Sequence, residues 1–235
     1  MIPETEFWPA QASPEYRAAR SELLRAEQNL RDAIERVAAQ RRALPEGAEL
    51  PSYTFTEGPV DLGSDGPLSR PTLLDLFGDQ RNLIVYHMMF GPNDDQACEM
   101  CSMWLDGFNG VRPHVEQNAA FVAVAKAPID KVRAWARRRG WTRLRLLSSH
   151  DSTFNTDLRV EDPSGDMQFP AISVLVRDGD TVRHSYTMQA IFPTDESGRG
   201  LDLYCPVWQI LDLLPGGRGE WYASNDYGDG SPCAK

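Results

Sequence analysis

Cysteine and histidine are scarce in this chain, four of each in 235 residues. In the reducing cytosol expected for this chain, Cys98, Cys101, Cys205 and Cys233 do not read as a disulfide framework, so the one close pair points to redox or metal chemistry. The four histidines, His87, His114, His150 and His184, leave few candidates to complete a metal site. Positive charge is also in deficit. Lys and Arg number 24 against 34 Asp and Glu, a net charge of −10, with no basic patch interleaved with exposed aromatics, which argues against a sequence-independent grip on nucleic acid. No apolar run approaches the roughly 18 residues that span a bilayer, and the start, MIPETEFWPAQASPEYR, has neither the basic nor the apolar stretch of a signal peptide. The expectation is a cytoplasmic protein with no nucleic-acid or membrane partner.

What is present is a globular composition, 41% hydrophobic and 25% charged, enough for one main core plus extensions. Over residues 14–44 the apolar positions Leu23, Leu30, Ile34 and Val37 recur at helical spacing until Pro45 and Gly47 stop them. This long amphipathic helix is expected to pack on the main domain or, as a homodimer contact, on a second copy. The organisation read from these signals is a helical extension over 1–50, a compact domain over 51–222 and a flexible tail over 223–235.

Within the domain, SYTFTEG reads as a short extended piece and LLDLFGD opens the core. NLIVYHMMF is a buried strand, CEMCSMWLDGFNGV a helix starting at or near the first cysteine, AAFVAVAK a second buried strand, and PIDKVRAWARRRG a helix with Pro at its start and Gly at its end. The β-α-β-α order implies parallel strands with right-handed crossovers. LRLLSS adds a short strand. AISVLVRDGDTVRHSYTM then reads as an antiparallel hairpin turning at Asp178 and Gly179, and PVWQILDLL as a last helix.

A β-α-β half with Cys-x-x-Cys at its first helix, followed by a β-β-α half entered through a proline, resembles the thioredoxin fold. Cys98 and Cys101 match the dithiol position, and Pro170 in QFPAISVLV matches the proline, cis in that superfamily, that abuts it. The resemblance implies an α/β thioredoxin-like domain, a central mixed sheet flanked by helices, a cis bond between Phe169 and Pro170, and a site of Cys98, Cys101 and Pro170. Through IVYHMMFGP, VAVAKAPIDKVRAWARRRGW, SSHDSTFN, VLVRDGDTVRHSY and GLDLYCPVWQILDLLPGGRGEW the chain is similar, over most of its length, to an uncharacterised bacterial family of thioredoxin-like proteins. Where thioredoxins carry a Trp directly before the first cysteine, this chain has Ala97.

Three chemistries suit NDDQACEMCSMW. In the first, a thiol–disulfide oxidoreductase without a cofactor, Cys98 at a helix N-terminus attacks a small-molecule or protein thiol–disulfide substrate, and Cys101, one turn on and deeper, resolves the mixed disulfide. Asp94, Asp95 and Glu99 oppose that activation, because like charges raise a thiol pKa. In the second, the same carboxylates attract a cation and the two soft thiolates hold copper, or zinc, with a histidine completing the site. His184 is the candidate, since its strand returns from the 178–179 turn toward Pro170. The resemblance to thioredoxin-like copper-delivery factors, which hold copper by a Cys pair and a His, implies a copper carrier or, with an open site, a copper-dependent oxidoreductase activating oxygen toward a small organic substrate. The third is a peroxidase, because FGPNDDQAC superficially resembles the peroxiredoxin loop, although the Pro92-to-Cys98 spacing is one residue short and no Thr or Ser lies between them.

Plainer assignments stand beside these. The pair also suits a degenerate domain that keeps it as packing. His87, inside IVYHMMF, suits a satisfied interior position, and His114 and His150 suit the surface. Trp104 and Phe108 suit the core. Arg137, Arg138 and Arg139 read as a solvated helix end, Asp151, Ser152 and Asn155 as turn chemistry, and Cys205 and Cys233 as incidental.

Overall fold

The computed structural model describes residues 8–189 and 204–226. The chain divides into two units, Met1–Pro45 and Glu46–Lys235. In the first, helix α1 (Pro14–Arg42) starts at Ser13, whose Oγ accepts a hydrogen bond from the Tyr16 amide at 3.1 Å. Pro14 occupies the first turn, where a missing N–H costs nothing, and Arg41 and Arg42 complement the dipole at the far end. None of the helix's residues is buried.

The second unit begins five residues before the expected boundary, because the 46–50 segment is stitched to the sheet. Leu50 N–H donates to the Val182 carbonyl and His184 N–H to the Ala48 carbonyl, each at 2.9 Å. Gly47 is obligatory there, since a Cβ would lie 1.8 Å from the His184 carbonyl oxygen.

Six strands form one sheet: β1 (Thr56–Glu57), β2 (Asn82–Met88), β3 (Ala120–Ala125), β4 (Leu146–Ser148), β5 (Ala171–Asp178) and β6 (Thr181–Gln189), in the order β1-β4-β3-β2-β5-β6. β2, β3 and β4 are parallel, whereas β5 runs antiparallel to β2, with His87 opposite Ala171, and β6 antiparallel to β5. The hairpin turns through Gly179 at φ +60°, left-handed backbone that glycine adopts without strain. Helix α2 (Glu99–Val115) links β2 to β3, and α3 (Ile129–Arg139), closed by Gly140 at φ +71°, links β3 to β4. Since the strands step in one direction, right-handed crossovers leave both helices on the same face. This is the thioredoxin-like arrangement the sequence implies, with α4 (Phe154–Asp157) and α5 (Pro206–Leu211) completing it.

Alternation along each strand gives the sheet two cores. On one face Tyr86 and Met88 meet Cys101, Trp104, Trp135 and Trp208 from α2, α3 and α5. On the other, Leu83, Val85 and Leu175 meet Tyr53, Phe55, Phe77 and Phe154. Trp104 is buried as expected of a core residue, and Phe108 packs partly buried beside it. The arginine run is not simply solvated. The Arg139 side chain is 4% exposed and pairs with Asp106, which also accepts from Trp141 Nε1 at 2.7 Å, so these groups tie α3 and its C-terminus to α2. Burial of a paired charge of this kind explains why helix-dipole reasoning alone misplaced it.

Candidate active site

The loop that delivers the dithiol is closed by its own backbone. After β2, Met89 accepts from the Cys98 amide at 3.1 Å, Phe90 N–H donates to Gln168 Oε1 at 2.9 Å, and the Phe90 carbonyl accepts from Ala127 N–H at 2.8 Å. Asp94 does not face the thiols: its Oδ2 accepts from Gly91 N–H at 2.6 Å. Lys131 Nζ clamps the loop through the carbonyls of Pro92 (2.7 Å) and Asp94 (3.0 Å). The ten-residue excursion therefore returns Cys98 to the end of β2, as the N-cap of α2, with φ −55° and ψ 131°.

Cys98 is partly exposed and Cys101, one turn into the helix, is buried; both are reduced thiols. The Cys101 thiol hydrogen-bonds the Cys98 sulfur and draws its pKa down to about 7. Burial opposes this, the backbone N–H groups of Cys101 and Met100 assist it, and Glu99 raises it slightly. Of the three flanking carboxylates only Glu99 bears on the thiol, so the acidic flank weakens the activation less than its sequence position implies. Cys101 moves the opposite way, pushed well above an ordinary thiol by its bond to Cys98 and by burial. Two donors work against that rise: the Tyr86 hydroxyl, and the Met89 N–H at 3.4 Å from the sulfur. Tyr86 is completely buried and stays protonated, because desolvation drives its own pKa well up.

Pro170 lies one step beyond the His87–Ala171 pair, which places it opposite Met88, next to the residue whose amide contacts Cys101. The expected cis bond before it is absent; no peptide bond among the described residues is cis. The chain approaches β5 already extended, held by Phe169 N–H on the Val160 carbonyl at 2.8 Å and a bridge between Glu161 and Gln168, and a trans proline continues that line. The fold assignment therefore rests on strand order and dithiol placement.

His184 is not brought to the cysteines. It pairs with Leu175, five residues past Pro170 along β5, and shares the face of Leu175, opposite the face that carries Cys101. Its Nε2 meets Thr187 Oγ1 at 2.7 Å, Thr187 meets Ser173 Oγ at 2.7 Å, and Ser173 meets His87 Nε2 at 2.8 Å. Burial, with a smaller contribution from His184, lowers the His87 pKa to about 3 and keeps the ring neutral. His87 is thus an interior residue with Ser173 as partner, stacked on Phe154. Among the described residues no cluster of three or more His, Cys, Asp and Glu side chains could hold a metal. His114 is exposed, as is His150, whose Nδ1 meets the Lys126 carbonyl at 3.3 Å. Asp151 is exposed and pairs with Arg70 at 3.5 Å, whereas Asn155 is buried and accepts from Ser149 Oγ.

Residues that sequence reasoning missed also reach the site. Cys205 is not incidental to packing: it caps α5 and is buried in the core that holds Cys101, near enough for its charge to affect Tyr86. Cys233 lies outside the described residues. Tyr222 stands close enough to Cys98 and Glu99 to feel their charge. Asn225, in the stretch read as tail, donates from Nδ2 to the Ala97 carbonyl at 2.7 Å. No local sequence signal marks these positions, because the groups they meet lie far away along the chain.

Strand order and a cysteine pair at the start of α2, one thiol partly exposed and one buried, define a thioredoxin-fold protein with a Cys-x-x-Cys dithiol. More particularly, the chain belongs to the DUF899 family, described as bacterial protein of unknown function, which matches residues 7–229. No curated protein matches it. Similar solved structures include AhpC of Enterococcus faecalis, 14% identical over 72% of this chain and 94% of that one with a TM-score of 0.48. Another is the 1-Cys peroxiredoxin antioxidant protein of Plasmodium falciparum, 11% identical over 71% and 99%, with a TM-score of 0.49. At that distance no activity carries over from them. No helix among the described residues is long and apolar enough to cross a membrane.

Proposed function

We propose that this protein is a thiol–disulfide oxidoreductase of the cytoplasm in which Cys98 attacks and Cys101 resolves. One observation carries the reading: a partly exposed thiol stands at the N-cap of a helix and pairs with a second, buried thiol one turn inside. Such an arrangement separates the two roles by access as well as by acidity.

The Cys98 thiolate attacks one sulfur of a disulfide R–S–S–R′. The S–S bond breaks, its electron pair leaves with R′S⁻, and that thiolate takes up a proton. Cys101 then loses its proton and attacks the Cys98 sulfur, expelling RS⁻, which is protonated in turn. The substrate disulfide gains two electrons and becomes two thiols while the protein becomes a Cys98–Cys101 disulfide. Tyr86 O–H and Met89 N–H stabilise the Cys101 thiolate in the second step. Once Cys98 is held in a mixed disulfide, the thiolate charge that kept Cys101 protonated is gone, so the first step prepares the second.

The test is a Cys101→Ser variant treated with an excess of a small disulfide. A stable mixed disulfide on Cys98, absent from the parent because Cys101 clears it, is the expected product. Adducts mapping to Cys205 or Cys233 while Cys98 stays reduced would defeat the assignment.

A further inference from the structure

The stretch after α5 packs against the start of the dithiol helix. Ala223 and Asn225 are buried. Asn225 Nδ2 holds the carbonyl of Ala97, the residue before Cys98, while the Asn225 carbonyl accepts from Arg139 Nη1 at 2.9 Å. Asp226 pairs with Arg138, and Trp221 sets its ring edge-to-face on Trp208 at 5.1 Å. Between the Trp221 and Asn225 anchors stands Tyr222, 50% exposed, its phenol pKa raised by burial and then by the charges of Cys98, Glu99 and Cys101. A half-exposed aromatic ring, followed by the buried Ala223 and Asn225 and held near a partly exposed nucleophile by the Asn225–Ala97 bond, is placed to meet a substrate.

Among the described residues, the one charged side chain that acts on the Cys98 thiol is a carboxylate. Glu99 follows Cys98 directly and Asp95 is exposed on the loop. Cations on the neighbouring loop and on α3 are engaged elsewhere: Lys131 with the Pro92 and Asp94 carbonyls, Arg138 with Asp226, Arg139 with Asp106. Resting on the oxidoreductase reading above, we propose that residues 221–226 form one wall of the dithiol site. Tyr222 and Glu99 there select disulfides of uncharged or cationic thiols that carry a flat apolar group next to the sulfur, and disfavour anionic disulfides such as that of glutathione.

The test uses the reduced full chain and four disulfides: 4,4′-dithiodipyridine, 2-hydroxyethyl disulfide, cystamine and glutathione disulfide. Each rate of reaction at Cys98 is divided by the rate of the same disulfide with dithiothreitol, which removes intrinsic reactivity. At low salt, cystamine should exceed glutathione disulfide by about tenfold on this scale, and Glu99→Gln should bring the two to within about threefold, as one nearby charge allows. Tyr222→Ala should lower the ratio of dithiodipyridine to 2-hydroxyethyl disulfide by about fivefold, the size of one aromatic contact, and Asn225→Ala should do the same by releasing the wall. Alkylation of Cys98 by iodoacetamide reports the thiolate alone. If Tyr222→Ala lowers alkylation and all four disulfides in proportion, the segment acts on the thiol and the wall is overturned. Ratios unmoved in both Tyr222→Ala and Glu99→Gln overturn the specificity. A parent whose Cys98 alkylates but reacts with no disulfide removes the oxidoreductase reading itself.

Discussion

Removing the Cys101 thiol should make Cys98 a worse acid, although nothing in the first coordination of Cys98 by the helix backbone changes. The Cys101 hydrogen bond is the largest influence holding Cys98 near 7, and burial and Glu99 pull the other way. At pH 7 a thiol of pKa about 7 is about half thiolate, against about 1% at the ordinary value of 9.0, a gain of about 50-fold. Lower basicity costs nucleophilicity by about 6- to 10-fold over that interval, so Cys98 should alkylate about 5- to 8-fold faster than an ordinary thiol. In Cys101→Ala the backbone amides remain, but burial, a larger influence than either of them, loses its main opponent, and the alkylation midpoint should climb toward 9. The assay is the rate of iodoacetamide labelling of Cys98 between pH 5 and 10, read by peptide mass. A midpoint that stays near 7 in Cys101→Ala refutes the pairing of the two thiols. In the parent, mild labelling should fall on Cys98 before Cys101, and the reverse order would do the same damage.

Three further outcomes follow from the geometry. Tyr86→Phe keeps the ring but removes a donor to the Cys101 sulfur, so release of the second thiol from a small disulfide should slow by about tenfold while the first persists; equal slowing of both phases contradicts the role. Asp106→Ala removes the carboxylate partner of a buried Arg139, which keeps only neutral acceptors such as the Asn225 carbonyl, and should cost about 3 kcal/mol in urea unfolding; a loss under about 1 kcal/mol would show the ion pair to be incidental. His87, at about 3 when folded and 6.5 when not, is protonated first in the unfolded chain. Its contribution is therefore intact above pH 6.5 and is lost as pH falls toward 3, by about 5 kcal/mol at most; His87→Gln should flatten that limb of the stability curve, and an unchanged acid slope would refute it.

Patterns carried by short-range chemistry were legible in the sequence. The Pro128 and Gly140 ends of α3, the buried strand LIVYHM, the two-residue turn at Gly179 and the start of α2 at the first cysteine all depend on residues within a few positions of one another. Facing and distance along the sheet were not. The β6 residue His184 was expected near Pro170, but it sits only four positions after the turn at Asp180, and the irregularity between Val174 and Leu175 resets the alternation beyond it. The partners of Cys101 were hidden because Tyr86 reads as one more apolar residue of a buried strand. Asn225 and Tyr222 were hidden because a contact across 128 positions leaves no local mark. The carboxylates of NDDQACEMC misled for a related reason: sequence proximity placed Asp94 beside the thiol, whereas its side chain closes a turn onto Gly91.

Cys98 and Cys101 are expected to exchange electrons as a pair. That exchange is tested most directly by equilibrating the protein across a series of dithiothreitol redox buffers, quenching with a mass-tagged thiol reagent and mapping the tags. Both cysteines should lose their tags together in one two-electron transition, with a Cys98–Cys101 disulfide peptide appearing in step, and Cys98→Ala should abolish it. Tags that persist on Cys101 throughout, or a disulfide that forms between other cysteines while this pair stays reduced, would contradict it.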